Sequence, residues 1–219
     1  RCRPTLEQVN PSLPIQEKAR PERSEAIVLG GSNSMISGGW VNLLRRDYTA
    51  LAHIKNLSVG ASTSAMALYR LLAHHERNPQ TPVIWEYAIN EYNHMSGGQP
   101  LRSILYHLEW LLQICIREKR PILPVIMKNR RQALVEHDDA YITALKSMLQ
   151  RYAVPSLDCH RLLSIMMRGS KNFEAWYSDE AHYSTETDLP RRITEAAILA
   201  LGSARIPTQI PDRARHFDS

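Results

Sequence analysis

A serine near one end of the chain and an aspartate and a histidine near the other have side chains that could catalyse acyl transfer together. Ser32 follows Gly30 and Gly31, and two glycines let a chain turn sharply and expose the next side chain. A serine hydroxyl is a weak nucleophile at neutral pH and needs a base within hydrogen-bond distance. The imidazole of His182 suits that role, and Asp179, three positions earlier, could orient the ring on a turn or a helix.

These side chains must be positioned by the elements that the hydrophobic pattern predicts. Short apolar runs that end in glycine or polar residues alternate with amphipathic stretches. The predicted strands are 25–30, 53–60, 82–88, 121–127 and a short one near 154–157, and the predicted helices are 39–47, 62–76, 100–118, 132–152 and 190–201.

Five alternations of strand and helix predict an α/β fold with three layers, in which helices cover both faces of a five-stranded parallel sheet. Right-handed crossovers favour a doubly wound, flavodoxin-like topology. In such sheets the sites lie beyond the carboxyl ends of the strands. The first three predicted strands lead into Ser32, Gly60 and Asn90, so we expect these residues to converge.

Four short blocks of the sequence resemble the motifs of the SGNH hydrolases, also called GDSL esterases and lipases. The blocks are GGSNS at 30–34, NLSVG at 56–60, AIN at 88–90 and DEAH at 179–182. They occur in the family's order, and the resemblance covers roughly residues 25–202. Three positions depart from the family pattern, since Gly31 and Glu91 replace aspartates and Ala88 replaces a glycine. We expect the change at Ala88 to alter the local turn.

The resemblance assigns a role to each residue of the site. It implies that Ser32 is the nucleophile and that Asp179 and His182 are its base pair. It also implies an oxyanion hole built from the backbone N–H groups of Ser32 and Gly60 and the side-chain amide of Asn90. Taken singly, each residue has an ordinary structural explanation, such as a helix cap for Ser32 or a turn for Asn90. The site hypothesis therefore depends on the sheet bringing them together.

An SGNH-like chain is expected to be an enzyme that transfers an acyl group from an ester. Our first hypothesis is an esterase that removes small acyl groups, such as acetyl groups from a carbohydrate. The alternatives are an O-acetyltransferase that uses the same residues on a glycan acceptor, and a non-catalytic glycan-binding module. Several aromatic residues near the third and fourth blocks are consistent both with sugar contacts and with core packing: Trp85, Tyr87, Tyr92, Trp176, Tyr177 and Tyr183.

Composition and motifs argue against several other function classes. The three cysteines lack the spacing of metal ligands, and no dinucleotide, P-loop or HExxH motif is present, so we predict no metal or cofactor. The 219 residues have a formal net charge of +5, partly from a basic cluster at 117–131 that would either flank a buried strand in solvent or attract an anionic substrate. With two phenylalanines and no recognised motif, a nucleic-acid partner is not expected.

Proline-rich, aperiodic ends define the predicted domain boundaries. We expect an extension or linker at 1–24, one SGNH-like catalytic domain at 25–205 and a tail at 206–219. No apolar run reaches the roughly 20 residues that span a bilayer, so we expect a soluble protein. The chain begins at Arg1, which is consistent with a processed form, and the sequence leaves its compartment and oligomeric state open.

Overall fold

A five-stranded parallel sheet forms the middle layer of the molecule. The structure, a computed structural model, describes residues 25–47, 53–74, 78, 80–135, 137–167 and 174–208. The strands are β1 (Glu25–Gly30), β2 (His53–Asn56), β3 (Val83–Glu86), β4 (Ile122–Ile126) and β5 (Leu157–Asp158). Their order across the sheet is β2-β1-β3-β4-β5, and every pairing between them is parallel. The predicted flavodoxin-like α/β sheet is therefore confirmed.

The described helices cover both faces of the sheet. They are α1 (Trp40–Asp47), α2 (Ser64–Ala73), α3 (Ala88–Ser96), α4 (Leu101–Glu118), α5 (Arg130–Ala133), α6 (Ala140–Arg151), α7 (Cys159–Met167) and α8 (Leu189–Leu201). One hydrophobic core joins the sheet to α2, α4 and α6, and a second joins it to α1, α7 and α8. Strand β1 contributes Ile27 and Leu29 to the first core and Ala26 and Val28 to the second, as a strand buried on both faces must.

The sequence analysis misplaced several element boundaries. The third strand ends at Glu86 rather than at residue 88, and the helix α3 follows it at once. The predicted helix 132–152 is in fact two helices, because Asp139 accepts a hydrogen bond from the N–H of Ile142 and starts α6 afresh. The second strand stops at Asn56, four residues early, and α7 was not predicted at all. The short fifth strand lies at Leu157–Asp158 rather than at 154–157.

The basic cluster at 117–131 is partly buried, which neither sequence hypothesis anticipated. Arg120 is 4% exposed and donates a hydrogen bond of 2.8 Å to the carbonyl of Thr81. Lys128 is 2% exposed, and its ammonium lies 2.8 Å from a carboxylate oxygen of Asp138. These two cations therefore stabilise the fold rather than flanking a strand in solvent.

Two of the predicted segments lie wholly or partly outside the described residues. The extension 1–24 lies entirely outside them, and the tail lies outside them from residue 209 onwards. The chain is still attached at Thr208, whose N–H donates a hydrogen bond of 2.9 Å to the carbonyl of Tyr152. Across the described ranges, no helix combines the length and apolarity needed to cross a membrane.

Candidate active site

Ser32 lies on a single 3-10 turn, Ser32–Ser34, that directly follows the carboxyl end of β1. The turn is held from both neighbouring strands. The side-chain amide of Asn56, at the end of β2, donates a 2.7 Å hydrogen bond to the carbonyl of Ser34. On the other side, the N–H of Gly31 donates a 2.8 Å hydrogen bond to the carbonyl of Glu86, at the end of β3. Hydrogen bonds to the strands on both sides of β1 thus fix the position of the serine turn.

Ser32, His182 and Asp179 form one continuous hydrogen-bonded relay. The Nε2 atom of His182 lies 2.7 Å from the Oγ of Ser32, although 150 residues separate them in the chain. The Nδ1 atom of His182 lies 2.7 Å from the Oδ2 of Asp179. With Asp179 ionised, Nδ1 carries the proton and donates it in a hydrogen bond to the carboxylate, which leaves Nε2 free to accept the serine proton.

The carboxylate of Asp179 is held in its ionised form by the backbone as well as by His182. Its Oδ1 accepts hydrogen bonds of 2.8 and 2.9 Å from the N–H groups of Ala181 and His182. Partial burial acts to raise the pKa of Asp179, but the hydrogen bonds from the His182 ring and these two N–H groups outweigh it and lower the pKa. The Asp179 carboxylate, which orients the ring of His182 on the same turn, is therefore charged at neutral pH.

The turn that carries Asp179 and His182 is anchored to the end of β4 by two buried tyrosines. Tyr177 and Tyr183 form an antiparallel bridge at the base of the turn, and their rings pack edge to face 5.0 Å apart. The hydroxyl of Tyr177 donates to the carbonyl of Lys128 at 3.0 Å, and that of Tyr183 accepts from the N–H of Lys128 at 3.3 Å. Both aromatic rings therefore serve packing and positioning.

Asn33 joins the serine turn directly to the histidine turn. Its side-chain amide donates a 2.8 Å hydrogen bond to the carbonyl of Ala181, and its Oδ1 accepts a 2.9 Å hydrogen bond from the N–H of Tyr183. These contacts bracket His182 on both sides. Asn33 is 5% exposed, so water competes little for either bond. The sequence analysis did not single out Asn33, because nothing in the local pattern indicates a partner about 150 residues away.

Gly60 and Asn90 both lie beside Ser32, as predicted. A Cβ atom on Gly60 would stand 3.6 Å from the Cβ of Ser32, and a Cβ atom on Gly31 would collide with the carboxamide of Asn90. The backbone N–H groups of Ser32 and Gly60 and the side chain of Asn90 make no hydrogen bond to any residue that the structure describes. Three polar groups close to Ser32 therefore have no hydrogen-bond partner among the described residues.

Glu86 is a buried carboxyl group directly beneath the serine turn, and the sequence analysis missed it. Its Oε2 accepts hydrogen bonds from the hydroxyl of Ser34 at 2.7 Å and from the N–H of Gly31 at 3.3 Å. Its Oε1 is buried without a partner in the described part of the chain. Burial raises the pKa of Glu86 to about 7, although the bonds from Ser34 and Gly31 oppose the rise. A glutamate inside an otherwise apolar strand is the signal that could have identified it.

Comparison with solved structures relates this architecture to known proteins. A member of the lipolytic G-D-S-L family from Veillonella parvula superposes with a TM-score of 0.63 at 12% identity, covering 82% of this chain and 98% of that one. The chain has the SGNH hydrolase fold. The psychrotrophic esterase EstA from Pseudoalteromonas sp. gives 0.61 at 18% identity, with 82% and 97% covered. The acetyl xylan esterase AlAXEase gives 0.65 at 12%, with 81% and 99% covered.

No protein-family model matches the chain, and no curated protein matches it either. The similarity to SGNH structures is therefore a similarity of fold, and the roles of individual residues must be argued from the geometry of the site.

The departures from the SGNH motifs have structural explanations in this chain. Gly31 is required because the Asn90 carboxamide occupies the space that any side chain there would need. Glu91 is buried and accepts hydrogen bonds from the N–H of Ser64 at 2.9 Å and the hydroxyl of Tyr141 at 2.7 Å, so it ties α3 to α2 and α6. Ala88 is fully buried at the first residue of α3, where the sequence analysis expected an altered turn.

The aromatic residues near the third and fourth blocks pack in the protein rather than lining the SGNH site. Trp85 and Tyr87 are fully buried, and Tyr92 and Trp176 pack against the two cores. The structure therefore supports core packing for the fully buried rings of Trp85 and Tyr87, whereas Tyr92 and Trp176 are only partly buried.

Two segments have residue types that can bind metals, Asp138-Asp139 and the run at 74–76, but their side chains have other partners or lie outside the described residues. Asp138 pairs with Lys128 and Lys146, each at 2.8 Å, and Asp139 caps α6. In the His-His-Glu run at 74–76, the last two residues lie outside the described part of the chain.

Proposed function

We propose that this chain is a serine ester hydrolase of the SGNH type, which removes small acyl groups through an acyl-enzyme on Ser32. One observation carries the proposal: the Oγ of Ser32, the imidazole of His182 and the carboxylate of Asp179 form a relay with two contacts of 2.7 Å. Ser32 is partly exposed, and its hydroxyl faces a partly exposed histidine, which a charged carboxylate orients. That arrangement is what a serine nucleophile requires.

The proposed reaction begins when the Oγ of Ser32 attacks the ester carbonyl carbon. The Nε2 of His182 takes the hydroxyl proton in the same step, and Asp179 stabilises the resulting imidazolium. The carbonyl oxygen becomes an oxyanion, which in this proposal accepts hydrogen bonds from the N–H groups of Ser32 and Gly60 and from the amide of Asn90. Each such donor typically stabilises the transition state by about 3 kcal/mol.

Collapse of this intermediate breaks the ester C–O bond, and His182 returns its proton to the departing alcohol. A water molecule then attacks the acyl group on Ser32 while Nε2 again accepts a proton. The acyl group leaves as a carboxylic acid, and the serine hydroxyl is restored. His182 thus acts as base and acid in turn, which its exposure to solvent at the rim of the site permits.

A small acyl group such as acetyl, on a carbohydrate, is the substrate class that we propose. The similarity to the acetyl xylan esterase AlAXEase supports this choice. Gly60 carries no side chain where it faces Ser32, and this leaves room for a compact acyl group next to the oxyanion donors.

Labelling with a fluorophosphonate followed by peptide mapping tests the proposal. The reagent reacts with serines whose hydroxyl is activated by a neighbouring base. We expect one modified peptide, with the label on Ser32, and no labelling of the Ser32→Ala variant. Modification of another serine, or no modification of the folded wild-type protein, would show that the nucleophile has been assigned wrongly.

A further inference from the structure

A cleft of about 380 Å³ opens next to the amide of Asn90. Its lining comes from the turn after β2 and from α3 and the segment that follows it. The lining residues are Ala61, Asn90, Asn93, His94, Gly97 and Gln99. Asn90 borders both this cleft and Gly31, the residue before Ser32, so the cleft lies close to the nucleophile.

The cleft offers neutral hydrogen-bonding groups that the protein itself leaves open. Asn93 accepts a 3.1 Å hydrogen bond from the amide of Asn129 through its Oδ1, and its own NH₂ group has no described partner. The Nε2 of His94 lies 3.2 Å from the carbonyl of Ala61, so its Nδ1 remains an acceptor when Nε2 donates. The Gln99 carboxamide makes no side-chain hydrogen bond with the described residues.

The chemistry of this lining selects against two common classes of ligand. Neither lysine nor arginine lines the cleft, so it lacks the cations that bind phosphate or carboxylate groups. Alanine is its largest aliphatic side chain, so no leucine, isoleucine or valine lines it to hold a long acyl chain. Amides that both donate and accept match hydroxyl groups, which also do both.

Resting on the proposed function, we propose that this cleft binds the neutral, polyhydroxylated part of the substrate, a sugar ring that carries the acyl ester. Asn93, His94 and Gln99 are the residues that select it. Asn93 is held by its bond to Asn129 at the start of α5, so part of the polar lining is fixed before the substrate arrives. The ring in the cleft would place its ester at Ser32, next to the oxyanion donors.

Removal of the side-chain amides of Asn93 and Gln99 tests the proposal, with the rate of hydrolysis compared on two esters. We would measure kcat/KM for a monoacetylated methyl xyloside, whose free hydroxyls can reach the cleft, and for p-nitrophenyl acetate, which has none. The variant Asn93→Ala/Gln99→Ala should lose roughly 30-fold on the sugar ester, mostly through KM, since each of the two lost hydrogen bonds is worth about 1 kcal/mol. The loss on p-nitrophenyl acetate should be several-fold smaller. Gln150→Ala, an exposed glutamine on α6, is the matched control and should change neither.

The two possible failures can be told apart. Equal losses on both esters, or a wild-type preference for p-nitrophenyl decanoate over the sugar ester, would overturn the cleft proposal and leave the serine hydrolase intact. Absence of any Ser32-dependent turnover would contradict the proposed function instead. In that case saturation-transfer NMR with methyl xyloside still tests the cleft. A signal that is lost in the double variant but kept in Gln150→Ala supports the cleft proposal. Equal signals in the two variants overturn the cleft proposal.

Discussion

The two halves of the candidate site are built in opposite ways. The serine turn follows strand β1, is held by hydrogen bonds to β2 and β3, and lies above a buried carboxyl, Glu86, whose pKa burial raises to about 7. The histidine half is an exposed turn whose carboxylate, Asp179, is 56% exposed and ionised. Asn33 is the side chain that crosses between the halves.

This contrast follows from what each half must do. A nucleophile must point at one carbonyl carbon, and a small error in its position costs a large factor in rate. A general base must exchange protons with solvent and with the leaving group, which requires access. The two halves therefore shift the pKa of a carboxyl group in opposite directions. Burial raises the pKa of Glu86, and hydrogen bonds lower the pKa of Asp179.

Removing the link between the halves should have the largest effect on this arrangement. The Asn33→Ala variant loses both hydrogen bonds that bracket His182, so the imidazole is no longer held at 2.7 Å from Ser32. We expect kcat for p-nitrophenyl acetate to fall by roughly 10- to 100-fold, with little change in KM, because positioning rather than binding is lost. Steady-state kinetics measure both parameters.

A second buried side chain provides the control for Asn33. Thr194 donates a 2.8 Å hydrogen bond to the carbonyl of Trp40 and so also joins segments about 150 residues apart, but away from the site. Thr194→Val should lose comparable stability and keep its kcat. If the two variants lose kcat equally, Asn33 acts through general stability and the link has no special role.

Much of this contrast could be predicted from the sequence, but not its linking parts. Ser32, Gly60 and Asn90 follow strands whose apolar runs are unambiguous, so the sheet was expected to bring them together, and it does. The turn carrying Asp179 and His182 has a recognisable local pattern. Asn33 has no such pattern, because its partners are set by how two distant loops meet.

Boundaries failed where a local signal competed with a longer pattern. The apolar period across 132–152 continues through Asp139, but the energy of capping a new helix there breaks it. The third strand was extended over Tyr87 and Ala88, which are as apolar as a strand, although they begin the helix that carries Asn90. Burial alone cannot distinguish a strand from the first turn of a buried helix.

The opposite pKa shifts of the two carboxyls predict a smaller effect, on stability rather than rate. A folded pKa of about 7 for Glu86, against 4.5 in a model peptide, means that the unfolded chain loses this proton first. Stability should therefore fall as pH rises from about 5 to 7 in the wild-type protein. The glutamine in Glu86→Gln does not titrate. The free energy of unfolding of this variant, relative to wild type, should therefore rise between pH 5 and 7 by up to about 3 kcal/mol.

Urea unfolding at a series of pH values measures this difference, and Asp179→Asn is the matched comparison. The pKa of Asp179 is lowered on folding, so its contribution is present above its unfolded value of 3.8 and is lost only as pH falls below that. The Asp179→Asn difference should therefore be flat from pH 5 to 8. A Glu86→Gln difference that is equally flat would show that Glu86 is not neutralised by burial.

Ester turnover in single and double variants of the relay tests the central claim most directly. We expect Ser32→Ala and His182→Ala each to lower kcat/KM for p-nitrophenyl acetate by at least about 1,000-fold, with folding unchanged by circular dichroism. The double variant should be no slower than either single one, because the two residues act as a unit. Undiminished turnover in His182→Ala, or a double variant whose loss is the product of two independent losses, would contradict the account.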